Sequence, residues 1–183
     1  SQLHMKSNIS DNIKSRKLCD CFTGDWNQIR PLILCFSTMR SGSTKLFNTF
    51  RAAAEVLEIP IYEGKTHPFS YNIRALNYGN INSKLIIISS YRDLIGQVLS
   101  LARVQMQRDP ENINEASMAR IIDRAVAERV VEAKIYQKCL KSKTSLFRCN
   151  FSYLVGTEPE TLVNTASSFI AKVIRPGHDS RRP

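Results

Sequence analysis

Pro31-Leu32-Ile33-Leu34-Cys35-Phe36-Ser37-Thr38-Met39-Arg40-Ser41-Gly42-Ser43-Thr44 decides how this chain is read. It opens on a short apolar run that is continuous instead of alternating, the pattern of a strand buried on both faces. Ser41-Gly42-Ser43 then breaks the run with small residues. From Thr44 to Leu57 apolar side chains recur at helical spacing, with Leu46, Phe47, Phe50, Ala54 and Leu57 on one face. A strand, a tight loop and a helix in that order form the opening unit of a parallel sheet with helices packed on it.

The same alternation continues along the chain. Ile59-Pro60-Ile61-Tyr62 reads as a short strand, placed at an edge or a strand start by its proline. Residues 63–82 read as loop, with a helical turn over 71–76. Leu85-Ile86-Ile87-Ile88-Ser89 is the strongest strand signal, and Asp93 is placed to cap a helix running to Gln107. Pro110 and Asn112 mark the next loop. A long helix is expected from Asn114 to Leu140, with Met118, Ile121, Ile122, Ala125, Val126, Val130 and Ala133 facing inward. Ser145-Leu146-Phe147-Arg148-Cys149 is a further strand, and Glu158-Pro159-Glu160 opens a last helix ending near Val173. The expected fold class is α/β, a central parallel sheet flanked by helices. One domain is expected over 30–174, after a polar leader at 1–29 and before a basic C-terminal tail at 175–183. Ser1-Gln2-Leu3-His4-Met5 reads as a cloning scar ahead of an initiator at Met5.

Composition narrows the partners. The 183 residues carry 26 Lys and Arg against 16 Asp and Glu, a net charge of +10. That balance favours an anionic partner without naming one. The basic residues are spread along the chain, so no nucleic-acid partner is expected. No apolar run approaches the roughly 20 residues that span a bilayer. No secretory signal is recognisable either, and the expected location is cytoplasmic. Cys19, Cys21, Cys35, Cys139 and Cys149 make an odd count, which reads as reduced free thiols. Cys19 and Cys21 are the only close pair and lack further ligands at metal-site spacing, so no metal is expected.

In an open parallel sheet, ligands bind beyond the carboxyl ends of the strands. Three polar motifs here each follow an expected strand. In Ser37 to Thr44, backbone N–H groups at the helix start suit a phosphate, small residues permit close approach, and Arg40 adds charge. This is not the G-x-x-x-x-G-K-[ST] loop, since it has one glycine and Lys45 follows Thr44. Lys65-Thr66-His67-Pro68 sets a candidate general base beside a charge stabiliser. Ser90-Tyr91-Arg92-Asp93 sends a cation from the end of the strongest strand, and Ser100 follows Arg92 within the next helix.

Taken together, the three motifs resemble those of the sulfotransferases that use 3′-phosphoadenosine 5′-phosphosulfate (PAPS). Arg40-Ser41-Gly42-Ser43-Thr44 matches the family's phosphosulfate loop, Lys65-Thr66-His67 its K-T-H segment, and Arg92 with Ser100 its arginine and helical serine. Phe147 to Phe169 is similar to the family's late strand, turn and helix start, through Leu154 and Pro159-Glu160. Lys45 stands where tryptophan is common, and Phe151 where tyrosine is usual. The resemblance implies a P-loop-like nucleotide-binding fold, with PAPS as co-substrate and no metal. It implies that Arg40, Ser41, Gly42, Ser43 and Thr44 hold the 5′-phosphosulfate and that Arg92 and Ser100 hold the 3′-phosphate. His67 would be the general base, with Arg40 and Lys65 as further catalytic residues. Arg175 and Gly177, from Arg175-Pro176-Gly177, would stand for the C-terminal loop that closes on the 3′-phosphate. The implied partner is a small-molecule or carbohydrate hydroxyl acceptor, and oligomeric state is left open.

Two rival readings share the fold class. One is a non-catalytic nucleotide-binding module, because the short interval from Arg40 to His67 leaves little chain for an acceptor pocket. The other is a P-loop-like nucleotide kinase, which calls for a Walker lysine and an acidic magnesium ligand that the sequence does not display.

Overall fold

A computed structural model describes residues 32–59, 62–66, 85–142 and 144–174. Four strands form one sheet: β1 (Leu32–Phe36), β2 (Tyr62–Thr66), β3 (Leu85–Tyr91) and β4 (Ser145–Asn150). Their order is β2-β1-β3-β4, and every pairing is parallel. Phe36 lies opposite Thr66, and Tyr91 opposite Asn150, so the strands finish along a common edge. The helices are α1 (Ser43–Val56), α2 (Leu94–Arg108), α3 (Glu115–Ser142), α4 (Phe151–Gly156) and α5 (Pro159–Ile174). A single 3-10 turn, Pro110–Asn112, separates α2 from α3.

The central strands read as unbroken apolar runs because both faces of the sheet are covered. On one face, Ile33, Cys35, Ile86 and Ile88 pack against Leu46 and Phe50 of α1 and Leu162, Ala166 and Ile170 of α5. Phe50, Phe147 and Phe169 meet there edge to face, with ring centroids 5.0, 5.4 and 6.2 Å apart. Each such pair adds roughly 0.5–1.5 kcal/mol beyond the area it buries. Leu34, Phe36 and Ile87 are equally buried, and the pleat turns them the other way. On that second face Ser89 and Arg148 meet Glu132 of α3. The expected α/β class, with helices flanking a parallel sheet, is therefore observed.

Local chemistry sets the helix ends. Asp93 caps α2 by accepting from Gly96 N at 2.7 Å. Asn114 and Ser117 cap α3 reciprocally, each side chain accepting from the other's backbone N–H at 2.9 Å. Asn150 caps α4 through Ser152 N.

Two expectations change. The second strand is Tyr62–Thr66 and not 59–62, so part of the expected loop is strand. The reason lies at the end of α1. Glu58 turns to φ 53°, its N–H bonds Glu55 O, and Ile59 N–H bonds Ala54 O. This is a left-handed helix stop of the Schellman type, and Ile59 serves as its apolar partner, packed on the core. The inward face of α3 also differs. Ile122, Val126, Val130 and Ala133 are exposed, whereas Ala125, Glu128, Glu132, Ile135 and Cys139 are buried. The buried positions keep helical spacing, but two of them are carboxylates, which an apolar count passes over.

Burial raises the Cys139 thiol to about 11 and Cys149 to about 12, so both are protonated, unreactive core residues. Cys35 is likewise buried, its Sγ 3.3 Å from Ser37 Oγ, and Cys19 and Cys21 lie outside the described residues. No described helix is long and apolar enough to cross a membrane.

Candidate functional site

The loop from Ser37 to Gly42 joins β1 to α1 at the edge where the strands end. Its path requires positive φ at two residues, Arg40 at 59° and Gly42 at 85°. Alternating left-handed residues turn successive N–H groups toward one side, a geometry suited to anions. Gly42 has a second reason to lack a side chain, since a Cβ there would lie 3.0 Å from Leu154 Cδ1. The α1 start has no side-chain cap and no acidic residue in its first turn. Nothing there offsets the positive end of the helix dipole.

Buried hydroxyls hold the loop against β3. Ser90 N donates to Ser37 Oγ at 2.9 Å. Ser41 Oγ donates to Thr38 O at 2.6 Å and lies 2.9 Å from Ser90 Oγ. The resemblance places Ser41 among the residues that hold the 5′-phosphosulfate. Its side chain is instead committed to the loop itself, and the residue is fully buried. Ser43 is also buried, while Thr44 is exposed at the helix start.

A buried carboxylate supports the loop from below. Glu128 of α3 accepts from Met39 N at 3.0 Å and from Gln97 Nε2 at 3.2 Å. Burial pushes its carboxyl above the usual range, opposed by the Met39 N–H and by the charge of Arg124.

Three expected site residues come together from three separate elements. Arg40 Nε, on the loop, donates to Ser100 Oγ of α2 at 2.9 Å. Arg92, just after β3, donates from Nη1 to Arg40 O at 3.3 Å. Its guanidinium carbon also stands 3.9 Å above the Phe151 ring, a cation–π contact. Phe151 thus supplies a platform for Arg92 where the sequence comparison registered only a missing hydroxyl. Gly96 leaves room for that side chain, because a Cβ there would sit 2.6 Å from Arg92 Nε. Arg92 Nε itself is buried with no hydrogen-bond partner.

Beside Arg92, a cleft of about 220 Å³ opens between the loop, the end of β3, helix α3 and β4. Thr38, Tyr91, Arg92, Arg129, Glu132 and Arg148 line it. Arg148 donates to Glu132 from Nε at 2.7 Å and from Nη2 at 3.2 Å. That fork-to-fork pair raises the arginine's pKa, so it stays charged. Arg148 is also stacked over the Tyr91 ring, at 3.9 Å, and the Tyr136 ring, at 4.7 Å. Arg129 donates from Nη1 to Arg92 O. Arg40, Arg92 and Arg129 have no carboxylate partner among the described residues.

Lys65 is placed on β2, opposite Cys35 of β1. His67, Arg175 and Gly177 lie outside the described residues. Sequence reading missed Arg129, Glu128, Glu132 and Arg148. The available signal was the helical series Ile121, Ala125, Glu128, Glu132, Ile135 and Cys139, in which two glutamates interrupt an apolar face. Among the described residues no group of three His, Cys, Asp or Glu side chains is arranged to hold a metal.

No family model matches the chain, no curated protein matches it, and no solved structure matches it.

Proposed function

We propose that this chain is a PAPS-dependent sulfotransferase of P-loop-like fold that transfers the sulfuryl group to an acceptor hydroxyl. One observation carries the reading. Arg40, Arg92 and Ser100, far apart in sequence, are joined in one hydrogen-bonded cluster at the ends of β1 and β3. Two guanidinium groups and a hydroxyl gathered at one strand edge support a ligand that carries more than one negative charge, as a nucleotide with 5′ and 3′ phosphates does. Arg92 also fits an anionic ligand by what it leaves unmet, since its buried Nε has no partner.

In this reading Ser41, Gly42, Ser43 and Thr44 cradle the 5′-phosphosulfate with backbone N–H groups, and Arg40 adds charge. Arg92 and Ser100 hold the 3′-phosphate and so select the bisphosphate nucleotide over ATP. Arg175 and Gly177 close over it. His67 takes the proton from the acceptor hydroxyl as its oxygen attacks sulfur. The bond between sulfur and the phosphate oxygen breaks, and Arg40 and Lys65 stabilise the charge that leaves with adenosine 3′,5′-bisphosphate. The protein's contribution is in-line positioning and charge stabilisation.

Titration calorimetry with adenosine 3′,5′-bisphosphate and ADP tests the binding half. The bisphosphate should bind more than about tenfold tighter, a margin that Arg92→Ala abolishes, because a charge-assisted hydrogen bond is worth about 1.5–3 kcal/mol. Transfer of labelled sulfate from PAPS to phenols, alcohols and sugars tests the chemical half. His67→Ala should retain nucleotide binding and lose about 10²–10⁴ in turnover. Equal affinity for the two nucleotides would sink the reading, and full activity in His67→Ala would remove His67 from its role.

A further inference from the structure

The cleft beside Arg92 has chemistry that the nucleotide contacts do not use. Three arginines line it against one carboxylate. Both Glu132 oxygens are engaged by Arg148, so that carboxylate is already neutralised. The surplus charge belongs to Arg92 and Arg129. Arg129 is exposed, lines the cleft, and spends Nη1 on Arg92 O, so its Nε and Nη2 donors are not used in that bond.

Thr38 supplies the independent observation. It is 1% exposed, it lines the cleft, and its Oγ1 has no hydrogen-bond partner. Its neighbours differ, for the hydroxyls of Ser37 and Ser41 on the same loop are both hydrogen-bonded. A buried hydroxyl without a partner is unfavourable, so an acceptor placed against it would be favoured. Guanidinium groups and a hydroxyl lining one cleft of about 220 Å³ match a tetrahedral oxyanion together with part of the group that bears it.

We infer that this cleft is a second oxyanion site, which receives a phosphate or sulfate group carried by the acceptor molecule. Its main contacts are Arg129, Thr38 and the free edge of Arg148. The inference rests on the proposed transfer reaction for the word acceptor, but not for the site. Arg92 adjoins both sites, which places the acceptor's anionic group one side chain away from the nucleotide. Glu132 fixes the Arg148 fork, so it is a positioning residue of the cleft. The acceptor class that follows is a hydroxyl compound already bearing one phosphate or sulfate.

The test uses the full chain and four probes: adenosine 3′,5′-bisphosphate, inorganic phosphate, glucose and glucose 6-phosphate. With the bisphosphate saturating, glucose 6-phosphate should bind and glucose should not. Arg129→Gln and Thr38→Val should each weaken glucose 6-phosphate about tenfold or more. Arg129→Gln should leave bisphosphate affinity within about twofold of wild type. Arg129 is a surface side chain, so this variant is expected to fold, and circular dichroism verifies that it does. Unchanged glucose 6-phosphate binding in Arg129→Gln would overturn the site. A fall in bisphosphate affinity in Arg129→Gln would do the same, by giving the cleft to the nucleotide. Inorganic phosphate binding as tightly as the sugar phosphate would limit the cleft to a free ion and overturn the acceptor assignment. If the wild type binds no bisphosphate, the sulfotransferase reading fails alone. Inorganic phosphate titrated without nucleotide, against wild type and Arg129→Gln, then still decides the oxyanion site.

Discussion

Gly96→Ala separates the stability of the fold from the arrangement of the site. Gly96 is the third residue of α2, and its N–H is bonded by the Asp93 cap. An added Cβ would stand 2.6 Å from Arg92 Nε and 2.8 and 3.0 Å from the two Asp93 carboxylate oxygens. The first contact is closer than packed atoms allow, so the Arg92 side chain must move. It then loses its 3.3 Å bond to Arg40 O and its place over Phe151. The stability effects partly oppose one another. Alanine favours the helix by about 1 kcal/mol over glycine. Disturbing the Asp93 cap costs about 1 kcal/mol, and losing a partly exposed cation–π contact costs about 0.5–1 kcal/mol. The lost bond to Arg40 O adds about 0.5–1.5 kcal/mol, so the net expectation is destabilisation of about 1–2.5 kcal/mol. Nucleotide binding should fall as well. Under the proposed function, losing an Arg92 contact to the 3′-phosphate would cost about 1.5–3 kcal/mol, or about ten- to a hundredfold in affinity for adenosine 3′,5′-bisphosphate. Urea unfolding followed by circular dichroism measures the first quantity, and titration calorimetry the second. Wild-type affinity in a folded Gly96→Ala protein would refute the reasoning, since Arg92 would then be either unmoved or irrelevant to the ligand.

Two further outcomes follow from the carboxylates of α3. Burial raises the Glu128 pKa above its ordinary 4.5, so the folded state holds this proton more tightly than the unfolded chain. Stability from this group is therefore greatest at acid pH and declines as pH rises from about 4.5 through the raised folded value. Glu128→Gln keeps an oxygen for Met39 N–H, and denaturation across pH 4–8 should show that wild-type decline absent from the variant; parallel curves would contradict it. Arg148→Leu should destabilise by about 3 kcal/mol, because it strands the largely buried Glu132 carboxylate without its partner. Adding Glu132→Gln should recover most of that loss in urea unfolding, and no recovery would show that the pair matters chiefly through the Tyr91 and Tyr136 stacking.

What the sequence determined by itself is the layer plan and the location of the loop. Continuous apolar runs at Ile33 to Phe36 and Leu85 to Ile88 are sufficient to mark strands buried on both faces, since burial on both faces removes alternation. Asp93, Asn114 and Pro159 mark helix starts because capping depends on residues within one turn. The order of Arg40, Arg92 and Ser100 was legible as well, although their mutual contacts were not. Among local features Ile59 is the exception, for it was moved out of the expected strand by a local helix stop in which its N–H bonds Ala54 O. Only the tertiary structure decided what depends on long-range approach. It committed the Ser41 hydroxyl to Thr38 and Ser90, because β3 lies directly beside the loop. It rotated α3 so that Glu128 and Glu132 face inward, because the Met39 N–H and the Arg148 guanidinium offer these carboxylates the partners that burial demands. A carboxylate reads as a surface residue in any one-dimensional pattern, and what reverses that reading here is a donor lying 89 or 16 residues away in the chain.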